Sequence, residues 1–128
     1  MEVVRCAWCE KDDLYRNYHD KEWGKPIYDD ETIFEFLILE SFQAGLSWYT
    51  ILAKRENFRA AFDYFDYQKI AQYSEEKVEE LIQNAGIIRN RLKILATINN
   101  AQKFMEVQKE FGSFSKYIIL FFINLFTL

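Results

Sequence analysis

Residues 33–39 read Ile33-Phe34-Glu35-Phe36-Leu37-Ile38-Leu39, with apolar side chains on almost every side of a helical wheel. Such a run is expected as a helix buried all round, not as a surface helix. Asp29 and Asp30 offer an N-cap for a helix from Glu31 to Ala44. Gly45 ends it, as a residue able to take the left-handed conformation. Glu40 then sits at the end of a helix that runs into the interior, where a carboxylate is costly unless something pairs with it or uses it. Two turns later comes Trp48, a flat apolar plate with one N–H donor. A buried acid near an aromatic plate suits a pocket for a flat ligand with polar edges, such as a nucleobase. The competing reading makes Glu40 a surface acid at a helix end and Trp48 a core residue.

The chain has 128 residues, enough for one domain spanning 1–128 with a sizeable core. Aromatics are abundant, with 12 Phe, 8 Tyr and 3 Trp, while one Pro and four Gly leave little room for long loops. The formal net charge of −4 argues against a polyanion-binding molecule overall, so any nucleic-acid face has to be a local patch. Cys6 and Cys9 are too close for a disulfide to staple much. Met1-Glu2-Val3-Val4-Arg5 has no apolar core of a secretory signal. The expected compartment is the cytoplasm, with reduced thiols.

Residues 1–28 read as mostly irregular and rich in polar aromatics, with a short helix from Asp12-Asp13 through Tyr18 and a turn at Gly24-Lys25-Pro26. Ser47 is placed to cap a helix from Trp48 to Phe62, whose buried side would be Ile51, Leu52, Phe58 and Phe62. Asp66 is placed to cap a short helix through Ala71, and Ser74 one from Glu75 to Asn84. Gly86 breaks the chain before a long helix to about Gln108, with an expected apolar stripe of Leu92, Leu95, Ile98 and Met105. From Leu81 to Met105 there is no acid, against four bases, Arg89, Arg91, Lys93 and Lys103. A turn between helices exposes amides at the second helix's start, which suits a phosphate, and flanking arginines add attraction to a nucleic-acid backbone. An ordinary helical hairpin with a solvated basic face is the alternative. After a break at Phe111-Gly112-Ser113, Ser113 or Ser115 is placed to cap a last helix. The 12 residues from Tyr117 to Leu128 are too few to span a bilayer, which needs about 20. No strand alternation is evident, so the fold class is all-α, with six to seven helices.

Several motifs in one order resemble the DNA-3-methyladenine glycosylase I family, of the helix-hairpin-helix glycosylase superfamily. They are Arg5-Cys6-x-Trp8, Leu14-Tyr15-x-x-Tyr18-His19-Asp20-x-Glu22-Trp23-Gly24, Leu39-Glu40-x-x-Gln43-Ala44-Gly45-Leu46-Ser47-Trp48, Lys54-Arg55, and Asn84-Ala85-Gly86-Ile87-Ile88-Arg89-Asn90-Arg91-x-Lys93-Ile94. The resemblance runs from residue 5 to about 117. It implies a monofunctional enzyme of base-excision repair that hydrolyses the N-glycosidic bond of 3-methyladenine in alkylated double-stranded DNA. It implies base stacking on Tyr18 and Trp48, a further pocket aromatic in Tyr15, and Glu40 as the pocket and catalytic carboxylate. It assigns the turn near 84–93, with Gly86, Ile87, Arg89 and Arg91, to the DNA backbone. It also implies a structural zinc, for which Cys6 and His19 match two of four ligands.

The family's other two ligands, a histidine and a cysteine near its C-terminus, have no counterpart here, since His19 is the one histidine and no cysteine follows Cys9. The chain is therefore expected to be truncated relative to the family. A three-ligand set of Cys6, Cys9 and His19 with water is the second possibility. In the third, both cysteines are plain buried thiols and His19 is hydrogen-bonded beside Asp20. A monomer is expected, with association through the apolar tail as an alternative. Phe121, Phe122, Leu125 and Phe126 are expected to lie exposed or against a hole. The rival to an active enzyme is an inactive DNA-binding remnant.

Overall fold

The computed structural model describes residues 5–127, with side chains through Phe121. Phe122, Leu125 and Phe126 therefore lie outside the described side chains, as do Met1 to Val4. Among the described residues the chain is all-helical, as expected. The helices are α1 (Asp13–Lys21), α2 (Asp30–Phe42), α3 (Trp48–Ala53), α4 (Arg55–Ala61), α5 (Tyr67–Ile70), α6 (Glu75–Ile82), α7 (Arg91–Phe111) and α8 (Phe114–Thr127). Two short 3-10 segments, Ala7–Lys11 and Asp63–Phe65, connect them. The short helix expected from Asp12-Asp13 is present as α1, capped by Asp12 on the Tyr15 amide, and it runs on past Tyr18 to Lys21 after an unexpected 3-10 turn.

Local capping explains most element starts. Asp29 accepts from the Thr32 amide at 3.0 Å, Ser47 from Thr50 at 3.1 Å, Ser74 from Lys77 at 3.2 Å and Asn90 from Lys93 at 3.1 Å. At the last helix a distant residue joins the local cap. The Asp30 carboxylate accepts from the Phe114 amide at 2.9 Å and the Ser115 amide at 3.0 Å, while the Ser113 hydroxyl accepts from Lys116 at 3.0 Å.

One core ties these elements together. Ile33, Phe34, Ile38, Leu39 and Phe42 of α2 meet Ile51 of α3, Phe58 of α4, Ile70, Leu81, and Ile94, Ala101 and Phe104 of α7. Ring pairs Phe42–Phe58 at 4.8 Å and Phe34–Phe104 at 5.2 Å interlock α2 with α4 and α7.

Three expectations need correction. First, α2 is buried on one face only: Leu37 is 41% exposed, and Phe36 and Glu35 are half-buried. The α3–α4 pair and α7 cover one side, and the other side borders two clefts. Second, the helix expected over Trp48 to Phe62 is two helices. Lys54 leaves helical geometry (φ −97°, ψ 1°) and its amide closes α3 on the Ile51 carbonyl at 3.0 Å. This break re-aims α4 so that Phe58 and Ala61 reach the core. Third, the buried stripe of α7 is Ile94, Thr97, Ala101 and Phe104, whereas Leu92 is 78% exposed. Both stripes have helical spacing, and packing against α2 and α5 selects between them. The buried Thr97 hydroxyl is satisfied by the Lys93 carbonyl at 2.8 Å.

Candidate functional site

Tyr15 and Tyr18 stand three residues apart on α1 and so share a face. Trp8, from the 3-10 turn, packs edge-on against Tyr15 at 4.9 Å. Opposite them, Trp48 opens α3, its position set by the Ser47 cap and by stacking on Phe36 at 6.3 Å. Tyr18 and Trp48 approach to 5.7 Å between ring centres. Together with Trp23, Glu40 and Gln43 these rings line a cleft of about 310 Å³, at the small end for a ligand pocket. The structure therefore brings Tyr15, Tyr18, Glu40 and Trp48 to one place. Trp8, Trp23 and Gln43 complete the lining. All three stand inside the quoted motifs, but nothing in their spacing marks them as pocket residues.

Two features make the cleft chemically unusual. Glu40 is exposed at its rim, not buried, because α2 ends at Phe42 beside the cleft. Its carboxylate has no ion pair or hydrogen bond among the described residues. The indole Nε1 of Trp48 is buried beside the Tyr18 hydroxyl, with no well-formed hydrogen bond to any described residue. Burial, then the charges of Glu22 and Glu40, push the Tyr18 phenol above its ordinary pKa, so it stays a neutral donor.

Polar clamps hold the cleft's walls. Asp12 accepts a short hydrogen bond from the Tyr49 hydroxyl, which together with the Tyr15 amide keeps its carboxyl below the usual range. Arg55 grips Glu22 with two hydrogen bonds, at 2.7 and 3.0 Å. Lys93 reaches from the first turn of α7 to the C-terminal end of α2, donating to the carbonyls of Phe42 and Ala44 at 2.9 Å each.

The turn between α6 and α7 has a different character. The Asn84 side chain accepts from the Gly86 amide at 2.8 Å, and a side chain at Gly86 would meet Asn57 and Asn84 at 3.1 Å. A larger residue here would have to push the two asparagine side chains aside. Ile87 is 3% exposed, so its side chain anchors the turn in the core and does not face a ligand. The amides of Ile88, Arg89, Arg91 and Leu92 find no acceptor among the described residues. Arg89 is exposed and unpaired among them. The basic stretch is less free than its composition suggests: Arg91 pairs with Glu79 of α6, and Lys103 lies 3.6 Å from Glu106.

At the N-terminal segment, Arg5 binds Asp20 through both carboxylate oxygens, and His19 Nδ1 lies 3.1 Å from Asp20. The Cys9 thiol is buried and donates to the Cys6 carbonyl at 3.0 Å, while Cys6 is exposed. No group of three or more His, Cys, Asp or Glu side chains among the described residues is arranged to hold a metal. Cys6 and His19 alone do not make a closed zinc site.

Residues 8–125 match the methyladenine glycosylase family model. The chain is 49% identical over 116 residues to DNA-3-methyladenine glycosylase 1 of Escherichia coli (strain K12), covering 91% of this chain and 62% of that protein. It superposes on a crystal structure of 3-methyladenine DNA glycosylase I with a TM-score of 0.86 at 50% identity, over 90% of this chain and 63% of that one. On a variant of such an enzyme crystallised with 3-methyladenine, the TM-score is 0.85 at 42% identity, covering 88% and 61%. The chain thus spans less than two thirds of these relatives' length, yet nearly all of it aligns with them. From the match over residues 8–125 and these identities, the chain belongs to the methyladenine glycosylase family.

Proposed function

We propose that this chain binds a flipped 3-methyladenine in the Tyr15–Tyr18–Trp48 cleft and hydrolyses its N-glycosidic bond in alkylated double-stranded DNA. The observation that carries this is the gathering of Tyr15, Tyr18 and Trp48 around an unpaired Glu40 carboxylate in one aromatic cleft. The relative crystallised with 3-methyladenine supports it.

A base inside a duplex is out of reach until it is flipped. The free amides of Ile88, Arg89, Arg91 and Leu92 and the Arg89 side chain supply the grip on a backbone phosphate during that step. N3-alkylated adenine is cationic in DNA, so the faces of Tyr18 and Trp48 attract it by cation–π interaction as well as by stacking. Glu40 accepts from the exocyclic amine edge and opposes the positive charge. In the reaction the C1′–N9 bond breaks with its electron pair going to the base, which leaves neutral. Water adds to C1′ and loses its proton to solvent. Glu40 and the ring faces stabilise the positive charge that develops on the sugar, so they act by transition-state electrostatics, with no strong general base assigned.

The test is release of free 3-methyladenine from methylated duplex by the purified chain, beside Glu40→Gln and Trp48→Ala. Release above the thermal background, lost in both variants while undamaged DNA is still bound, is the expected result. Equal release by Glu40→Gln overturns the site. Salt-sensitive DNA binding with no release identifies a non-catalytic DNA-binding chain instead.

A further inference from the structure

Helix α1 carries one wall of the cleft, yet it has no buried residue. Its attachment to the rest of the molecule is polar and aromatic: Tyr18 meets Trp48 at mid-helix, and a polar clamp holds each end. At the N-terminal end the Tyr49 hydroxyl donates to Asp12, the residue that caps α1, while the Tyr49 ring packs on Tyr15 at 5.1 Å. Lys11 sits over the other part of that ring, 3.7 Å from its centre. At the C-terminal end Arg55 holds Glu22, which closes α1 with its own amide on the Tyr18 carbonyl at 2.9 Å. Tyr49 and Arg55 belong to α3 and α4, the same unit that carries Trp48.

From this geometry we infer that Tyr49 and Arg55 are positioning residues that set the width of the aromatic cleft. A helix docked by apolar burial has many small contacts that no single residue controls. A helix docked by two hydrogen-bonded clamps loses its registration when the clamps go, and it opens locally while the core stays shut. Neither residue lines the cleft. Their effect on a bound base is indirect, through the separation of Tyr15 and Tyr18 from Trp48. The inference rests on the proposed base-binding cleft for its functional meaning, but its structural content stands apart from it.

The experiment compares the intact chain with Tyr49→Phe, Arg55→Gln and the double variant. Tyr49→Phe keeps the ring contacts and removes only the hydroxyl. Amide hydrogen exchange in residues 13–22 is expected to rise about tenfold or more in the double variant, with α2 and α7 amides within about twofold of the parent. The dissociation constant for free 3-methyladenine, read by tryptophan fluorescence, is expected to rise several-fold. Arg55→Lys is expected to recover part of the protection at Glu22, since it restores a charge without the two-pronged geometry. Unchanged exchange in residues 13–22 overturns the inference. So does an equal rise across α2 and α7, which marks general destabilisation. A parent chain that binds no 3-methyladenine overturns the proposed function, while the exchange pattern still decides the clamps.

Discussion

Tyr18, Tyr49 and Tyr73 are all held above the ordinary phenol range, each for its own reason. Burial leads for Tyr18 and Tyr73, whereas for Tyr49 the leading cause is its hydrogen bond to Asp12. Because a raised phenol pKa favours the protonated native form, the stabilisation is complete below about pH 10, the unfolded value, and is lost as pH rises through the higher folded values. Asp12 works at the other limit: its lowered pKa gives stability that is complete above the usual carboxylate range and fades as pH falls through the depressed value. The Asp12–Tyr49 clamp is therefore expected to hold unchanged from about pH 5 to 9. An alkaline titration followed by tyrosinate absorbance should show a late component from Tyr18, Tyr49 and Tyr73 in the native chain that disappears in denaturant. Phe replacement at 18, 49 and 73 should remove the late component, and its survival in the triple variant would sink the assignment. At this scale the sequence was informative about identity and less so about environment. Tyr15, Tyr18, Glu40 and Trp48 are legible as a set, and of the two readings open for Glu40 the structure shows the surface acid at a helix end. A helix rich in apolar residues does not reveal which of its ends stops at a cleft.

Among the elements, the link from α7 to α2 has the clearest consequence. Lys93 replaces solvent at two carbonyls that the end of α2 leaves open, and those carbonyls begin the turn that leads to Trp48. Lys93→Met is expected to lower stability by about 1–3 kcal/mol, read as a shift in the urea midpoint at constant slope. A change below about 0.5 kcal/mol would show that water serves those carbonyls equally well. The turn before α7 separates two arginines that look equivalent in the sequence. Arg89 is free among the described residues, while Arg91 is shared with Glu79. If Arg89 meets a phosphate, Arg89→Ala should flatten the dependence of log K on log salt by about 0.9, and Arg91→Ala should change it less. The opposite order, measured by fluorescence anisotropy on undamaged duplex, would place the phosphate grip elsewhere. Helix existence was legible from caps such as Asp29, Ser47 and Ser74, because a cap is a contact between near neighbours. The break at Lys54 and the buried stripe of α7 were not, because both depend on which partner helix is present.

On the scale of the whole molecule, the cleft and a second, apolar groove lie beside α2. The groove is bounded by Phe34, Leu37, Ile38, Phe104, Val107 and Phe114, with a volume of about 290 Å³. Nearby on α8, Ile119, Leu120 and Phe121 are 46–55% exposed. Among the described residues no helix is long and apolar enough to cross a membrane. This much apolar surface is expected to bind a hydrophobic dye in the native state, and Leu37→Lys should reduce the signal. A dye-silent, monodisperse chain in light scattering would contradict that expectation. The all-α class, most helix starts, the glycine turns at Gly45 and Gly112, and the family motifs follow from residues close in sequence, since caps, periodicity and left-handed turns are local physics. Other features needed the tertiary structure: one-sided burial of α2, the Asp30 cap on α8, the Arg91–Glu79 pair, and the Tyr49 and Arg55 clamps. Each of these joins residues separated by at least 12 positions, and their pairing depends on which helix faces come to lie together in three dimensions.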